Sequence, residues 1–395
     1  MSAPRSVFLS VAATWALLGA ACGPATSPPA ATSAPPPTAA ATKPTTAPAP
    51  QATTVPAAQP TSEPAAAAAA PVSPALAQLI AAAKQEGKVN WVGPSNLGDP
   101  AAQQIVAAMN ARYGTNIQVT YTSSGDFSAT VPQILTEYAT GGKPSWDAVS
   151  FNDTYLMQLA GDGDLIKQPY RELFGLPEAA TRLESTAVLY SGQLVLPTYN
   201  PKLVTGADIP KSWDDMTNPR WQGRIGIHTA IHHLVRLSQA WGDDRTTEFA
   251  RKLAALNPKL GRINETFQSM ILGETLVSLT QTSSQMDDAL KKGQPVAWAI
   301  DVRPAISPGY MCGALKNSEH PNAASLLCGF LFDQTARNIW GDAVGKEDPF
   351  DPSTPLGKIY VEGPDKVLIL RDDFPLDELD RLQKKYAQII GFTQF

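Results

Sequence analysis

The sequence predicts a two-lobed α/β protein, and three observations support this fold class. From residue 88 onward, strands alternate with helices about every thirty residues, which is typical of a mainly parallel sheet flanked by helices. The chain beyond residue 72 is about twice as long as a typical domain. Two extended stretches, 186–190 and 193–199, separate a first block of strands and helices from a second. We therefore expect two mixed, mainly parallel sheets flanked by helices and joined by a hinge of two crossing segments.

The first 21 residues have the pattern of an export signal peptide. Arg5 precedes the apolar run 7–18, and small residues then lead to Cys22. This order resembles a bacterial lipoprotein signal, in which the Cys becomes the lipidated first residue, although Gly19 stands where such signals usually carry Leu. The alternative is an ordinary secretory signal followed by an unrelated cysteine. Both patterns predict an extracytoplasmic protein, either anchored to the cell membrane through Cys22 or secreted or periplasmic.

Residues 22–72 have the composition of a disordered tether. Pro, Ala and Thr predominate, Lys43 and Glu63 are the charged residues, and few large apolar side chains could offset the entropy of ordering. Frequent prolines favour polyproline II, which at about 3.1 Å per residue would span roughly 150 Å. We expect this segment to hold a folded domain away from the membrane.

The first lobe is predicted to begin with a helix at Pro74–Glu86. Leu76, Leu79 and Ile80 recur there at helical spacing, and Gly87 follows as a terminator. Runs rich in β-branched and aromatic residues, separated by amphipathic segments, predict the next elements. These are strands at 88–93, 117–121 and 147–151 and helices at 99–113 and 127–139.

Polar side chains follow the strands of this lobe. In parallel sheets flanked by helices, ligands bind at the carboxyl ends of the strands. The alternative is that these residues form turns and helix caps. The predicted wall of the ligand cleft consists of Ser95, Asn96, Ser123, Ser124, Asn152 and Asp153.

A second block of elements follows the extended stretches. Strands are predicted at 225–228, 275–279 and 296–300, and helices at 231–241, 246–256, 265–272 and 285–292. A strand at 310–315 and helices at 322–333 and 376–390 are expected to return to the first lobe. The predicted lobes are 73–198 with 302–395, and 199–301.

The two predicted crossings carry further candidate ligand-binding residues. Tyr199 lies at the first crossing, and Asp301 and Arg303 lie at the second. Arg303 could bind a carboxylate or phosphonate in bidentate fashion. The alternative is that it pairs with Asp301 within the hinge.

Charge and motifs argue against several classes of function. The formal net charge of −5 and a pI near 5.5 argue against nucleic-acid binding. The sequence contains no G-x-S-x-G, P-loop or H-E-x-x-H motif, so we expect no enzyme activity and no cofactor. We expect a monomer.

His228, His232 and His233 form a local cluster. An H-x3-H spacing could place two imidazoles on one helix face for a metal, but His228 is expected to end a strand and no carboxylate lies at ligand spacing, so no metal site is predicted. The alternatives are a hydrogen-bonding role in the cleft, for which His232 is the candidate, or a structural role. Thr229 lies where a strand ends and a helix begins, a position suited to binding an anion.

Cys312 and Cys328 are the cysteines of the folded part. Export makes a disulfide between them possible, because extracytoplasmic compartments are oxidising. The alternative is two buried, unpaired thiols.

Ordered motifs along the folded part resemble the extracellular solute-binding proteins of ABC importers, in the ferric-iron and small-anion branch. The most specific is 209–225, with Pro-Lys-Ser-Trp-Asp-Asp followed by Pro-Arg-Trp-Gln-Gly-Arg-Ile. The other matching segments are 86–91, 112–119, 144–149, 159–170 and 314–324. The resemblance implies a type II periplasmic-binding fold that closes around one small solute and delivers it to a membrane permease.

The resemblance fails at one point that concerns the ligand. Iron-binding members of the family carry two adjacent tyrosines, and this sequence has no Tyr-Tyr pair. An organic anion or oxyanion-bearing compound is therefore the favoured solute, with ferric iron as the alternative in the same family. A secreted hydrolase of unrecognised type and a tethered adhesion or scaffold protein are the rivals from other classes.

Overall fold

The computed structural model of the chain describes residues 72–345 and 347–392. The predicted signal peptide, Cys22 and the tether up to residue 71 lie outside these residues. In the described part, no helix combines the length and apolar composition that a membrane span requires.

The described elements alternate much as the sequence predicts. The helices are α1 Pro74–Glu86, α2 Gly98–Tyr113, α3 Phe127–Ala139, α4 Asp153–Gly161, α5 Tyr170–Phe174, α6 His232–Trp241, α7 Asp243–Ala255, α8 Ile263–Ile271, α9 Ser283–Lys291, α10 Pro321–Phe330, α11 Gln334–Val344, α12 Pro355–Glu362 and α13 Leu376–Ile390. The strands are β1 Lys88–Pro94, β2 Gln118–Ser124, β3 Ala148–Asn152, β4 Thr181–Arg182, β5 Ala187–Ser191, β6 Val195–Tyr199, β7 Ile225–His228, β8 Lys259–Gly261, β9 Val277–Thr282, β10 Ala297–Trp298, β11 Ala305–Ile306, β12 Tyr310–Ala314 and β13 Val367–Leu368.

Local sequence explains α1, one of the helices whose predicted bounds are confirmed at both ends. The Ser73 hydroxyl accepts the Leu76 N–H at 3.2 Å, which caps the helix start. Gly87 ends the helix in the left-handed conformation, with φ of 65°, which glycine adopts without a Cβ penalty.

Two mixed sheets define the two lobes. The first sheet has the order β2-β1-β3-β12-β5-β4, and the second has the order β13-β11-β6-β9-β7-β8 with β10 beside β6. In both sheets the parallel pairs join strands linked through helices, whereas β12 and β6 run antiparallel to the strands beside them. We call residues 73–191 with 310–344 the first lobe, and 195–306 with 367–390 the second.

The boundaries differ from those predicted at residues 199 and 301. Strand β6 pairs with β9 from Val195 to Tyr199, so the chain changes lobe before β6 rather than after it. The second crossing likewise lies after β11, whose Ile306 pairs with Val195. Both strands extend the second sheet because their apolar side chains are buried there.

The C-terminal segment also differs from the prediction, because it belongs to the second lobe. Strand β13 pairs with β11, and α13 packs on α6 and α7. Polar side chains of α13 also bind the second lobe. Lys385 Nζ and the Tyr386 hydroxyl donate to Asp243, the first residue of α7, at 2.8 and 3.1 Å. The chain therefore crosses between lobes a third time, between α11 and β13.

The crossings pack closely against one another at Gly192. A Cβ at this position would lie 2.7 Å from Ser307 Oγ in the second crossing, so only glycine allows the two segments to approach. The Gly192 N–H donates to the Glu347 carbonyl, in the third crossing, at 2.8 Å. Three segments thus form the hinge.

A disulfide joins Cys312 in β12 to Cys328 in α10. Both residues are fully buried, beside the Trp91 and Trp340 core of the first lobe. Of the two alternatives that the sequence left open, the structure has the bonded pair.

Candidate functional site

The carboxyl ends of the strands in both lobes converge on the hinge. After β3, the Asp153 N–H donates to the Gly309 carbonyl in the second crossing at 2.8 Å. After β9, the Ser283 N–H donates to the Leu194 carbonyl in the first crossing at 2.9 Å. Because both strand ends adjoin the crossings, the polar residues that follow them face one another between the lobes.

A buried ion pair connects the lobes at this point. Asp153, the first residue of α4, binds Arg236 of α6, and their side chains are 0% and 2% exposed. Asp153 also accepts the N–H groups of Thr154 at 2.9 Å and Gly309 at 3.3 Å. Such a pair is stable without water only because several hydrogen bonds satisfy the carboxylate.

Histidines form the wall of the second lobe beside Arg236. His228 Nε2 lies 2.9 Å from the Thr280 carbonyl and accepts at Nδ1 from the Ala230 N–H at 3.1 Å, which fixes its tautomer. His233 Nδ1 lies 3.1 Å from the Thr280 hydroxyl. His232 is half-buried, its ring centre lies 4.5 Å from that of His233, and no described residue hydrogen-bonds its ring.

The environment keeps these imidazoles uncharged. Burial lowers the pKa of His228 to about 4 and that of His233 well below its usual range. Burial, and then the positive charge of Arg236, lower the pKa of His232 as well. At neutral pH the wall therefore presents neutral rings next to a buried guanidinium.

A cavity of about 270 Å³ lies between the lobes. Asn96 and the end of α11 line it from the first lobe, and one side of α9 from Ser284 to Lys291 lines it from the second. Three carboxylates and one amine face it: Asp287, Asp288, Asp342 and Lys291. Burial raises the pKa of Asp287, which is the carboxylate nearest to Gly345.

Aromatic residues back this side of the first lobe. The Trp340 ring centre lies 4.8 Å from that of Tyr190 and 5.9 Å from that of Tyr310. The Tyr121 hydroxyl donates to the Pro94 carbonyl at 2.7 Å. Burial raises the pKa of all three tyrosines, so their phenols stay protonated.

The structure brings several of the predicted ligand residues together and leaves others at the rim. Arg236 binds Asp153 and also donates to the backbone carbonyl of His232 at 3.5 Å, and Asn152 precedes Asp153 with its Oδ1 buried and unbonded among the described residues. Asn96 lines the interlobe cavity. The remaining strand-end residues, Ser95, Ser123, Ser124 and Thr229, occupy exposed or half-buried positions, and Ser124 bonds Thr130 at 2.8 Å.

Tyr199, Asp301 and Arg303 do not join this group. Tyr199 ends β6, roughly 13 Å along the strand from the crossing at Val195, at about 3.3 Å per residue. Asp301 is exposed, and Arg303 pairs with Glu362 at 3.3 Å rather than with Asp301. These positions follow from the displaced lobe boundaries, because the predicted crossings are not the actual ones.

Sequence reasoning missed Arg236, Thr280 and the start of α9. Arg236 follows His232 by four residues, so both lie on one face of α6, and an arginine on a largely buried helix face was the available signal. Thr280 lies inside a strand buried along its whole length and gave no such signal. Among the described residues, no group of three or more His, Cys, Asp or Glu side chains could hold a metal ion.

Comparison with known proteins identifies the family. The model of the bacterial extracellular solute-binding proteins matches residues 151–358, more than half of the chain. The chain belongs to this family. No curated protein sequence matches this solute-binding protein.

Solved structures share its fold at low sequence identity. Iron-bound HitA from Pseudomonas aeruginosa is 16% identical, with a TM-score of 0.57 over 76% of this chain and 99% of that one. The spermidine/putrescine ABC transporter substrate-binding protein PotD from Streptococcus pneumoniae is 15% identical, with a TM-score of 0.61 over 78% and 99%. An ABC transporter substrate-binding protein from Agrobacterium tumefaciens is 12% identical, with a TM-score of 0.61 over 77% and 94%. The predicted two-lobed, type II periplasmic-binding fold is confirmed.

The histidine wall predicts a pH-dependent stability. Since the unfolded His228 titrates near 6.5 and the folded one near 4, only the unfolded chain takes up its proton between these values. We expect the stability contribution of His228 to be complete above about pH 6.5 and to fall by about 2 kcal/mol between pH 7 and pH 5. Urea unfolding of the wild type and of His228→Asn at both pH values measures it. If the free energy of unfolding falls equally in both proteins between pH 7 and pH 5, at unchanged m-values, His228 is not the source of the pH dependence.

The interlobe ion pair predicts a large and specific loss of stability. Asp153→Asn leaves the Arg236 guanidinium buried without a counter-charge, which should lower the free energy of unfolding by about 3–5 kcal/mol. In urea unfolding, Asp153→Asn with Arg236→Met should lose much less than the sum of the two single variants. Asp380→Asn, which breaks an exposed pair with Lys384, is the control and should change little. Additive losses would show that the two charges do not interact.

Proposed function

We propose that this protein is the receptor of an ABC importer, which captures a small organic solute between its lobes and delivers it to a membrane permease. The cavity lined by Asn96 from one lobe and by α9 from the other is the observation that carries this proposal. A solute that contacts both lobes makes closure favourable only when the cleft is occupied. Similar structures include two substrate-binding proteins of ABC transporters, which supports the same role.

The favoured solute carries a carboxylate or another oxyanion. Two features of α6 support this class: the helix begins at His232, and Arg236 Nε is a donor that is buried and unbonded among the described residues. A helix start favours negative charge, because its N–H groups and dipole point outward there. The exposed Thr229, just before α6, adds a hydroxyl.

A solute with a cationic amine is the second candidate. Three of the four charged side chains that line the interlobe cavity are carboxylates, and they favour a positive group. PotD, a spermidine/putrescine substrate-binding protein, shares the fold. Neither His232 nor Arg236 is among the described residues that line this cavity, so the anionic and cationic groups of one solute would contact different residues.

Ferric iron is a weaker alternative. HitA is iron-bound, but a ferric ion prefers phenolate ligands, and burial raises the pKa of Tyr121, Tyr190 and Tyr310 in the free protein. We propose that the protein has no enzyme activity and acts as a monomer with no cofactor.

We further propose that a lipid on Cys22 anchors the protein to the outer face of the cell membrane, with residues 22–72 as the spacer. The family is extracellular, and the small residues before Cys22 supply the cleavage signal. An anchored receptor stays close to its permease.

Thermal unfolding in the presence of candidate solutes tests the receptor function. A solute at 100 times its Kd should stabilise the protein by about 2.7 kcal/mol, which raises Tm. The probes are carboxylates, phosphonates, sulfonates, thiamine, spermidine and ferric citrate. We expect an anionic probe to raise Tm, and His232→Phe to abolish that shift while Asp287→Asn leaves it unchanged.

The reverse pattern of these variants would identify an amine solute. In that case spermidine or thiamine raises Tm and only Asp287→Asn abolishes the shift. A shift confined to ferric citrate would support the iron alternative. If no probe shifts Tm and substrate panels reveal turnover, the receptor function is wrong.

Mass spectrometry of the mature protein tests the anchor. We expect the N-terminal peptide to begin at Cys22 and to carry diacylglycerol, because Cys22 follows the small residues 19–21. Cys22→Ser should release the protein into the medium. An unmodified Cys22, or cleavage elsewhere, would show that the receptor is not a lipoprotein.

A further inference from the structure

The segment 369–372, just after β13, lies between the two lobes and is bound by both. On the side of the second lobe, Gln239 of α6 donates to the Ile369 carbonyl at 2.8 Å and accepts the Arg371 N–H at 3.2 Å. On the side of the first lobe, Asp153 accepts the Leu370 N–H at 3.4 Å. Alternate residues of this extended segment therefore bind opposite lobes.

Arg182 of the first lobe provides the strongest of these contacts. Its Nη2 donates to the Leu370 carbonyl at 2.6 Å, and its Nε donates to Asp372 Oδ1 at 2.8 Å. The other carboxylate oxygen of Asp372 accepts the Leu183 N–H at 2.6 Å. We call Arg182, Leu183, Leu370 and Asp372 the hinge clasp. The Arg182 side chain is only 12% exposed, so water screens the charge pair weakly.

The clasp holds a turn that is unfavourable in isolation. Leu183, Glu184 and Ser185 have φ angles of 53°, 54° and 70°, and three successive non-glycine residues rarely adopt this left-handed conformation. Two contacts from opposite lobes hold this turn. The Thr186 hydroxyl of the first lobe donates to the Leu183 carbonyl at 2.7 Å, and Asp372 of the second lobe accepts the Leu183 N–H. Such a conformation persists only where its surroundings enforce it.

We propose that the hinge clasp sets the angle between the lobes and stabilises the conformation described here. Rotation of the lobes moves Asp372 relative to Arg182, and short charge-assisted hydrogen bonds lose most of their energy when the partners separate. Loss of the Leu183 contact also frees the left-handed turn to relax. A cavity of about 550 Å³ beside the turn, lined by Met157, Leu183 and Phe374, provides space for that movement.

The clasp is continuous with the candidate solute site. Asp153 binds both Leu370 in the segment and Arg236 in α6, the helix that begins at His232. A solute that fixes α6 therefore favours the closed clasp, and a closed clasp favours the solute-binding geometry. The proposal concerns lobe closure and holds whatever the cleft binds.

Hydrogen–deuterium exchange of Asp372→Asn tests the proposal without a ligand. Asn keeps the size of the side chain but cannot hold the Arg182 charge. We expect amide exchange in residues 183–186 and 368–374 to become at least about tenfold faster, and the radius of gyration from small-angle X-ray scattering to increase. Asp373→Asn is the matched control, because Asp373 is 80% exposed and, among the described residues, forms an ion pair only with Arg371, at 3.1 Å.

Two results would overturn the proposal. In the first, Asp372→Asn and Asp373→Asn have the same exchange rates and the same radius of gyration. The hinge clasp would then not stabilise the turn or the angle between the lobes. In the second, exchange is faster but the radius of gyration is unchanged. The hinge clasp would then stabilise the turn at residues 183–186 without setting the angle between the lobes. If Asp372→Asn does not fold, Arg182→Lys gives the same comparison, because Lys keeps the charge but cannot bind Leu370 and Asp372 together.

Discussion

The buried ion pair between Asp153 and Arg236 is the interaction on which the relation between the lobes depends. Asp153 is the first residue of α4, which follows β3, and Arg236 lies in α6, which follows β7. Their ion pair therefore joins the edges of the two sheets at which the strands end. Burying two charges costs several kcal/mol per ion unless other bonds satisfy them. The backbone N–H groups of Thr154, Gly309 and Leu370 supply those bonds from three different segments.

This pair also determines the electrostatics of the cleft. Burial, and then the fixed positive charge of Arg236, lower the pKa of His232, which favours the neutral imidazole. Carboxylates of α9 and α11 line the interlobe cavity. The neutral histidines and the acidic lining of the cavity are thus two chemically distinct surfaces, as expected of a receptor that selects a solute by several contacts at once.

The hinge shows why lobe boundaries were hard to predict. The extended stretches predicted around β5 and β6 are confirmed. However, a lobe crossing and a sheet strand have the same sequence pattern, because both have an extended backbone. Only the pairing of Val195 with Ile306 and Thr282 shows where the second sheet begins. For the same reason the predicted crossing at Asp301 and Arg303 is wrong. The lobe on which α13 packs was also not predictable, because its apolar face could be buried against either lobe.

Taken by itself, the sequence determined the α/β class, the two lobes and elements such as α1, because period, caps and glycine terminators act over a few residues. It also pointed to Asp153, as a polar residue after a strand, and to His232, as a member of a local histidine cluster. Only the tertiary structure decided that Arg236 meets Asp153, that Cys312 bonds Cys328 and that Asp372 binds Arg182. These contacts join residues far apart in the chain, and their geometry depends on how both sheets pack rather than on any local pattern.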